Sequence, residues 1–348
     1  MKNSMSNILA ALFTVVAILA AGFAVLVAVQ AAWINGTIET QTVMPGEYIF
    51  DSTYPVSLEE ISGARDLADQ FMTEEGQLRP GSEVNPETYM TDTFTISVAT
   101  LAYFNYLGAL FADSPDLPSH LEKVKALLFE QLPEERAGML YSLYESYLTC
   151  ELELSEMLAD RPEPKTAAEV VRLLAEAQQF RREYLGADVA DALFGADIKT
   201  REYALRRSAV AGDTHLYGQE KEARIDRLTE EMWGDQAQAI NDYSQPFHRY
   251  REKLQVYARD MAEMETDTQR EEMVKAFRNR YFSPEVVAQL EAIDVQMAQQ
   301  QQADERFEQE KQQILENDRL SQEEKDAALR ALAMEVYGEQ LLPPDEHP

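Results

Sequence analysis

The residues able to do chemistry in this 348-residue sequence are four histidines, one cysteine and a large excess of carboxylates, and their spacing assembles none of them into a reaction centre. His120, His215, His248 and His347 are scattered, and none has a second ligand at i+3 or i+4, so packing or surface roles are expected rather than a metal site. Cys150 is the only cysteine, which rules out an intramolecular disulfide, and it lies in a helical apolar pattern that would bury it. There is no G-x-S-x-G elbow, no G-x-x-x-x-G-K-[ST] phosphate loop and no H-E-x-x-H pair. With 62 Asp and Glu against 31 Lys and Arg, any chosen acid pair would be a chance pair, and most are expected on solvated helix faces. The expectation is a protein that is not an enzyme, with no catalytic residue, no metal and no cofactor. A net charge of −31 argues against nucleic acid, which needs a basic footprint, and against lying on an anionic lipid surface. The plain reading of that charge is solubility.

The elements expected to carry the work begin with a membrane segment. Ile8 to Val29 is apolar apart from Thr14 and Gly22, and no charge occurs between Lys2 and Glu39. A spanning helix needs roughly 20 apolar residues. A cleaved signal peptide is the competing reading, with Ala28, Ala31 and Ala32 as small residues near a cut, but its apolar core is usually about 7–15 residues. Lys2 ahead of the span and Glu39, Glu47 and Asp51 after it place the N-terminus inside and the bulk of the chain outside, and Trp33 falls where an interfacial aromatic belongs. Residues 1–33 are therefore read as an anchor. Residues 34–56, with Gly36, Pro45, Gly46 and Pro55 and no sustained periodicity, are read as a linker.

Ser57 to Met90 is mixed, with turn signals at Glu75-Gly76 and Arg79-Pro80-Gly81, and beyond it the chain reads as helix after helix. Thr93 to Ala112 is an apolar, aromatic core helix, followed by helices over Ser119–Glu130 and Pro133–Leu158, enough for a small bundle. Arg161-Pro162-Glu163-Pro164 breaks the chain. Thr166 and Glu169 form a capping-box pattern opening a helix that ends at Gly186. A short helix from Val189 to Phe194 is expected to stop at Gly195, with a new one capped by Asp197. Further helices fit Gly218–Trp233, Tyr250–Met264 and Thr268–Tyr281, with Gly234 and Pro246 in the gaps. Ser283-Pro284 is a strong helix start, and the helix it opens runs to about Asn317. Its second half, Ala298 to Gln313, is polar nearly all round, the mark of a solvent-bridging strut or else of a frayed Gln-rich tract. Ser321 with Glu324 caps a last helix, and no fixed-period repeat is found.

Several of these segments carry a resemblance. Phe180-Arg181-Arg182-Glu183-Tyr184-Leu185-Gly186 followed by Val189-Ala190-Asp191-Ala192-Leu193-Phe194-Gly195, Phe282-Ser283-Pro284-Glu285, Leu320-Ser321-Gln322-Glu323-Glu324, and the stretch from Tyr144 to Leu154 resemble segments of the lipase-specific foldases, the lipase secretion chaperones. That family's RxxFDY signature aligns with Leu101-Ala102-Tyr103-Phe104-Asn105-Tyr106: Phe104 and Tyr106 match, while Leu101 and Asn105 replace its charged pair. The resemblance implies an all-α fold: a transmembrane helix (1–33), a linker (34–56), a first helical mini-domain (57–160), an extended helical arm (161–282), and a long helix with a second mini-domain (283–348). It implies an inner-membrane-anchored, periplasmic, ATP-independent chaperone whose partner is a secreted lipase or related esterase, with Leu101, Phe104, Asn105 and Tyr106 as the motif positions. Phe104 and Tyr106 are expected in the core of the first bundle rather than on the client. The alternatives are a non-catalytic periplasmic scaffold or adaptor, against which no heptad pattern persists, and a sensory ectodomain, against which only a few residues precede the span.

Overall fold

The computed structural model describes residues 48–56, 61, 78, 79, 84, 86, 95–159 and 161–337. The apolar run Ile8–Val29, and with it the expected anchor, lies outside these residues, as do residues 34–47 of the expected linker. Among the described residues there is no strand, and no helix is long and apolar enough to cross a membrane. They fall into two compact units, one ending at Glu263 and the other beginning at Met264.

In the first unit, α1 (Val98–Leu110) opens on a reciprocal cap, Ser97 accepting from the Ala99 amide while the Thr100 hydroxyl accepts from Ser97 N. It is apolar nearly all round, which a helix tolerates when enclosed, and it buries Tyr103, Phe104, Tyr106 and Leu107. α2 (Leu117–Gln131) is capped by Asp116, whose carboxylate accepts from Ser119 N at 2.8 Å. α3 (Glu134–Ala159) buries Leu140, Tyr144, Tyr147, Leu148 and Leu154 at three- and four-residue spacing. α4 (Ala167–Leu185) starts at the Thr166–Glu169 box and ends at Gly186, whose φ of 88° suits glycine. α5 (Ala187–Gly212) is continuous, which corrects the expected stop at Gly195. That glycine sits inside the helix because the Tyr54 ring lies against it where a side chain would clash. α6 (Gly218–Trp233) leads through a 3₁₀ turn at Gly234–Gln236 to α7 (Ala237–Tyr243), α8 (Pro246–Val256) and α9 (Ala258–Ala262). The helix expected over Tyr250–Met264 thus begins a turn earlier, on Pro246 at its first position, and breaks at Tyr257, whose ring packs on Gly218.

The main core joins α1, α2, α3 and α5 around Tyr103, Phe104, Leu107, Val124, Leu128, Tyr144, Tyr147, Leu193 and Phe194. A full burial of each such large side chain contributes about 1.5–3 kcal/mol. A second cluster joins Ala196 and Tyr203 of α5 to Leu228, Met232 and Trp233 of α6. Residues 48–56 form a strap with a turn closed by Tyr54 N donating to Asp51 O at 3.3 Å, and it supplies Phe50 to the first cluster and Val56 to the second.

The second unit holds α10 (Asp267–Tyr281), α11 (Pro284–Leu315) and α12 (Gln322–Tyr337). α10 opens on a Thr266–Gln269 box, α11 on Pro284, and α12 on Ser321 with Glu324. α11 is helical without interruption through Ala298–Gln313, where Gln300–Asp304 and Gln301–Glu305 bond at i,i+4.

Candidate functional site

The four motif positions lie on α1. Phe104 is 1% exposed, edge-on to Tyr144 at 5.1 Å between ring centres and tilted over Tyr147 at 5.2 Å. Tyr106 is buried and stacks on Tyr103. Leu101 is half-buried against the same cluster, and half-buried Asn105 accepts a long 3.4 Å bond from the Tyr147 hydroxyl. Burial drives the Tyr144 and Tyr147 phenols well above the ordinary tyrosine range, so both remain neutral donors. His120 closes the cluster: Nδ1 donates to Phe111 O at 3.1 Å and Nε2 accepts from the Tyr144 hydroxyl at 2.7 Å. Burial lowers its pKa, in keeping with that neutral tautomer. The expected packing role of His120 is thus filled. His215 and His248 are exposed, and His347 lies outside the described residues. Cys150 is fully buried in α3, its thiol pushed up to about 12, mainly by desolvation.

The paired arginines near the end of α4 tie three helices and the strap together. Arg181 clamps Glu151 of α3 through two bonds of 2.7 and 2.8 Å, with side chains only 15% and 9% exposed. Its guanidinium stacks 4.0 Å from the Phe194 ring centre. Arg182 grips Asp191 of α5 at 2.7 and 3.2 Å and lies over Phe50 of the strap. Gln178 adds a third bond to Asp191 at 2.8 Å, and the Tyr54 hydroxyl donates to Asp191 O at 2.6 Å. Bidentate pairs of this kind fix orientation as well as spacing, and losing one partner strands a buried charge.

What the knot positions is surface. A shallow cleft of about 580 Å³ lies between α3, the end of α4 and the residue ahead of α1, with Ile96, Met139, Leu143, Tyr184 and Leu185 as its apolar lining. Met139 is 50% and Tyr184 40% exposed. Gly138, Ser142 and Ser146 recur every fourth residue along its α3 side, a spacing readable in the sequence but not used there. Tyr243 and Phe247 are also more than half exposed at the α7–α8 corner. In the second unit Ile293, Val295 and Met297 stand out from α11, Met297 at 66% exposure. Apolar groups held open in this way suit contact with another protein. Among the described residues no three His, Cys, Asp or Glu side chains converge as a metal site.

The comparison with protein families matches residues 143–340 to the model of the proteobacterial lipase chaperone protein. Among curated proteins, a lipase chaperone of Stutzerimonas stutzeri (strain A1501) is 22% identical over 237 residues, which cover 68% of this chain and 68% of that protein. The matched family segment starts in α3 and runs past the end of α12, taking in the paired arginines, Asp191 and Phe194.

Proposed function

Because this chain belongs to the proteobacterial lipase chaperone family, we propose that it is a membrane-anchored, ATP-independent steric chaperone that helps a secreted lipase or related esterase fold in the periplasm before export. The observation that carries this reading is the family match across residues 143–340. The exposed Met139, Tyr184, Ile293 and Met297 offer contact surface on each unit. A chaperone of this kind lowers a folding barrier by binding the late, near-native client more tightly than the unfolded one, the same differential binding that accelerates chemistry. That requires a stiff surface, and the buried aromatic cluster and the Arg181–Glu151 and Arg182–Asp191 clamps supply stiffness in the first unit.

The anchor reading is supported by the uncharged apolar run Ile8–Val29 and by Lys2 ahead of it. A tether holds the chaperone near the point where the client emerges and raises their effective concentration. The partition proposed is anchor 1–33 and linker 34–47, with residues 48–56 and 161–263 packed together with the first mini-domain and a second helical unit from Met264. Phe104 and Tyr106 act as internal supports of α1, and Leu101 and Asn105 are neutral replacements at its motif positions.

The test is refolding of a denatured secreted lipase encoded in the same genome, with and without stoichiometric full-length chain in detergent micelles. The expected result is recovery of lipase activity that depends on the chain and not on ATP. No gain in active lipase sinks the chaperone reading for that client and leaves the helical scaffold or adaptor.

A further inference from the structure

The strap 48–56 and the helices beneath it are built as a ligand and its site. α5 reads the strap backbone with side chains that are themselves buried, and α6 adds a main-chain carbonyl. Lys199, 2% exposed, donates to the carbonyls of Asp51 at 2.7 Å and Tyr54 at 3.0 Å. Glu202, fully buried, accepts from Ile49 N at 3.0 Å. The backbone carbonyl of Glu231 accepts from Ser52 N at 3.1 Å, and its carboxylate accepts from the Tyr48 hydroxyl. Beyond α6, Gln236 Nε2 donates to Val56 O at 2.8 Å. Two glycines make room: the Tyr54 ring lies on Gly195, and Ser52 approaches Gly234. Trp233 forms part of the floor, with Lys199 over its ring and its buried indole nitrogen lacking a hydrogen-bond partner. Recognition of a peptide by bonds to its main chain, with pockets for spaced side chains, is a recurrent mode of binding.

We infer that the groove formed by α5, α6 and the 3₁₀ turn after it is a peptide-binding site, filled in cis by residues 48–56. Its ligand class is a nonapeptide folded on a turn at its positions four to seven, with aromatic side chains at positions one, three and seven and an aliphatic one at position nine. The latch does not depend on which client the chain serves. A pull on the N-terminal residues meets this latch before it meets α1.

The experiment uses the full-length chain in detergent micelles and a fluorescently labelled synthetic peptide of residues 48–56. In the chain carrying Phe50→Ala and Tyr54→Ala the groove is emptied. The peptide is expected to bind that variant saturably, at least about tenfold more tightly than it binds the unsubstituted chain, whose groove is occupied. Adding Lys199→Met to the variant is expected to weaken binding about tenfold, since both carbonyls lose their donor. Equal binding to both chains, or none to a variant that keeps its helical signal, overturns the inference. Hydrogen exchange on the unsubstituted chain decides the matter even where the variant unfolds. The Ile49 and Ser52 amides are expected to open together and more often than those of α5 and α6. Exchange of those two amides only on unfolding of the helices overturns the separable-ligand reading.

Discussion

The two units solve the same problem, holding long helices in place, in opposite ways. The first encloses them: large apolar side chains fill its main core, the Phe104, Tyr144 and Tyr147 rings touch one another, and charged groups such as Lys199, Lys221, Glu202 and Arg206 are buried there with partners. In the second, among the described residues, only Val287 and Leu332 are buried. Its helices are held by local devices: caps at Thr266 and Ser321, i,i+4 pairs along α11, the Phe307–Tyr337 contact at 5.2 Å, and the Lys325 ammonium closing the Leu315 carbonyl at 2.6 Å. Burial gives rigidity but consumes apolar surface. Local stabilisation leaves that surface free, which is why Ile293, Val295 and Met297 stand open on α11.

The sharpest way to break this contrast is to empty the enclosed core. Phe104→Ala is expected to cost about 3–5 kcal/mol, because neighbouring rings cannot close the void. Denaturant unfolding followed by Trp233 fluorescence in a Trp33→Phe background reads the first unit, and a variant with unchanged midpoint refutes the supporting role given to Phe104. Next comes charge. Glu151→Ala strands the Arg181 guanidinium against Phe194 and is expected to cost about 3 kcal/mol. Glu291→Ala, which removes the counterpart of Lys275 on the surface of the second unit, is expected to cost about 0–1 kcal/mol. Similar losses for the two, measured by hydrogen exchange within each unit, would erase the distinction.

Acid should act on the same contrast. Burial holds the His120 pKa below its ordinary 6.5, so the unfolded chain takes up the proton first. The contribution of neutral His120 is complete above about pH 6.5 and is lost as pH falls from there through the folded value. Urea midpoints of the first unit should therefore decline from pH 7 to pH 5. His120→Gln should flatten that decline, and the described part of the second unit, which has no histidine, should not share it. Thr166→Ala removes a side-chain cap and is expected to cost about 1 kcal/mol, read as a loss of protection at the start of α4. The smallest effect on stability is expected from Ile293→Ser with Met297→Ser, within about 0.5 kcal/mol because both side chains are already in water. The same pair should reduce lipase refolding, and full refolding by that variant would show that this open stripe is not used.

Features that depend on neighbours three or four residues away were legible from the sequence. The Thr166–Glu169 and Ser321–Glu324 boxes, Pro284 opening α11 and Gly186 ending α4 all stand where their residue types place them. What the sequence concealed depends on distant partners. Gly195 looks like a helix stop until Tyr54 arrives from the strap. Residues 48–56 have no periodicity because their order comes from Lys199, Glu202 and Glu231, far along the chain. Charges assigned to solvated faces include Glu202 and Glu151, buried because each meets a donor that its own neighbourhood does not reveal. The burial of Phe104 and Tyr106 was readable in an apolar helix. The cleft beside Met139 and Tyr184 was not, since it exists only once α4 folds back along α3.

The lone thiol of α3 has a practical meaning. With Cys150 fully buried and burial pushing its thiol up to about 12, the sulfur stays protonated near neutral pH and lies beyond the reach of reagents. The folded chain is therefore a poor partner in disulfide exchange, and a cysteine introduced on its surface can take a dye or spin label without first removing the native one.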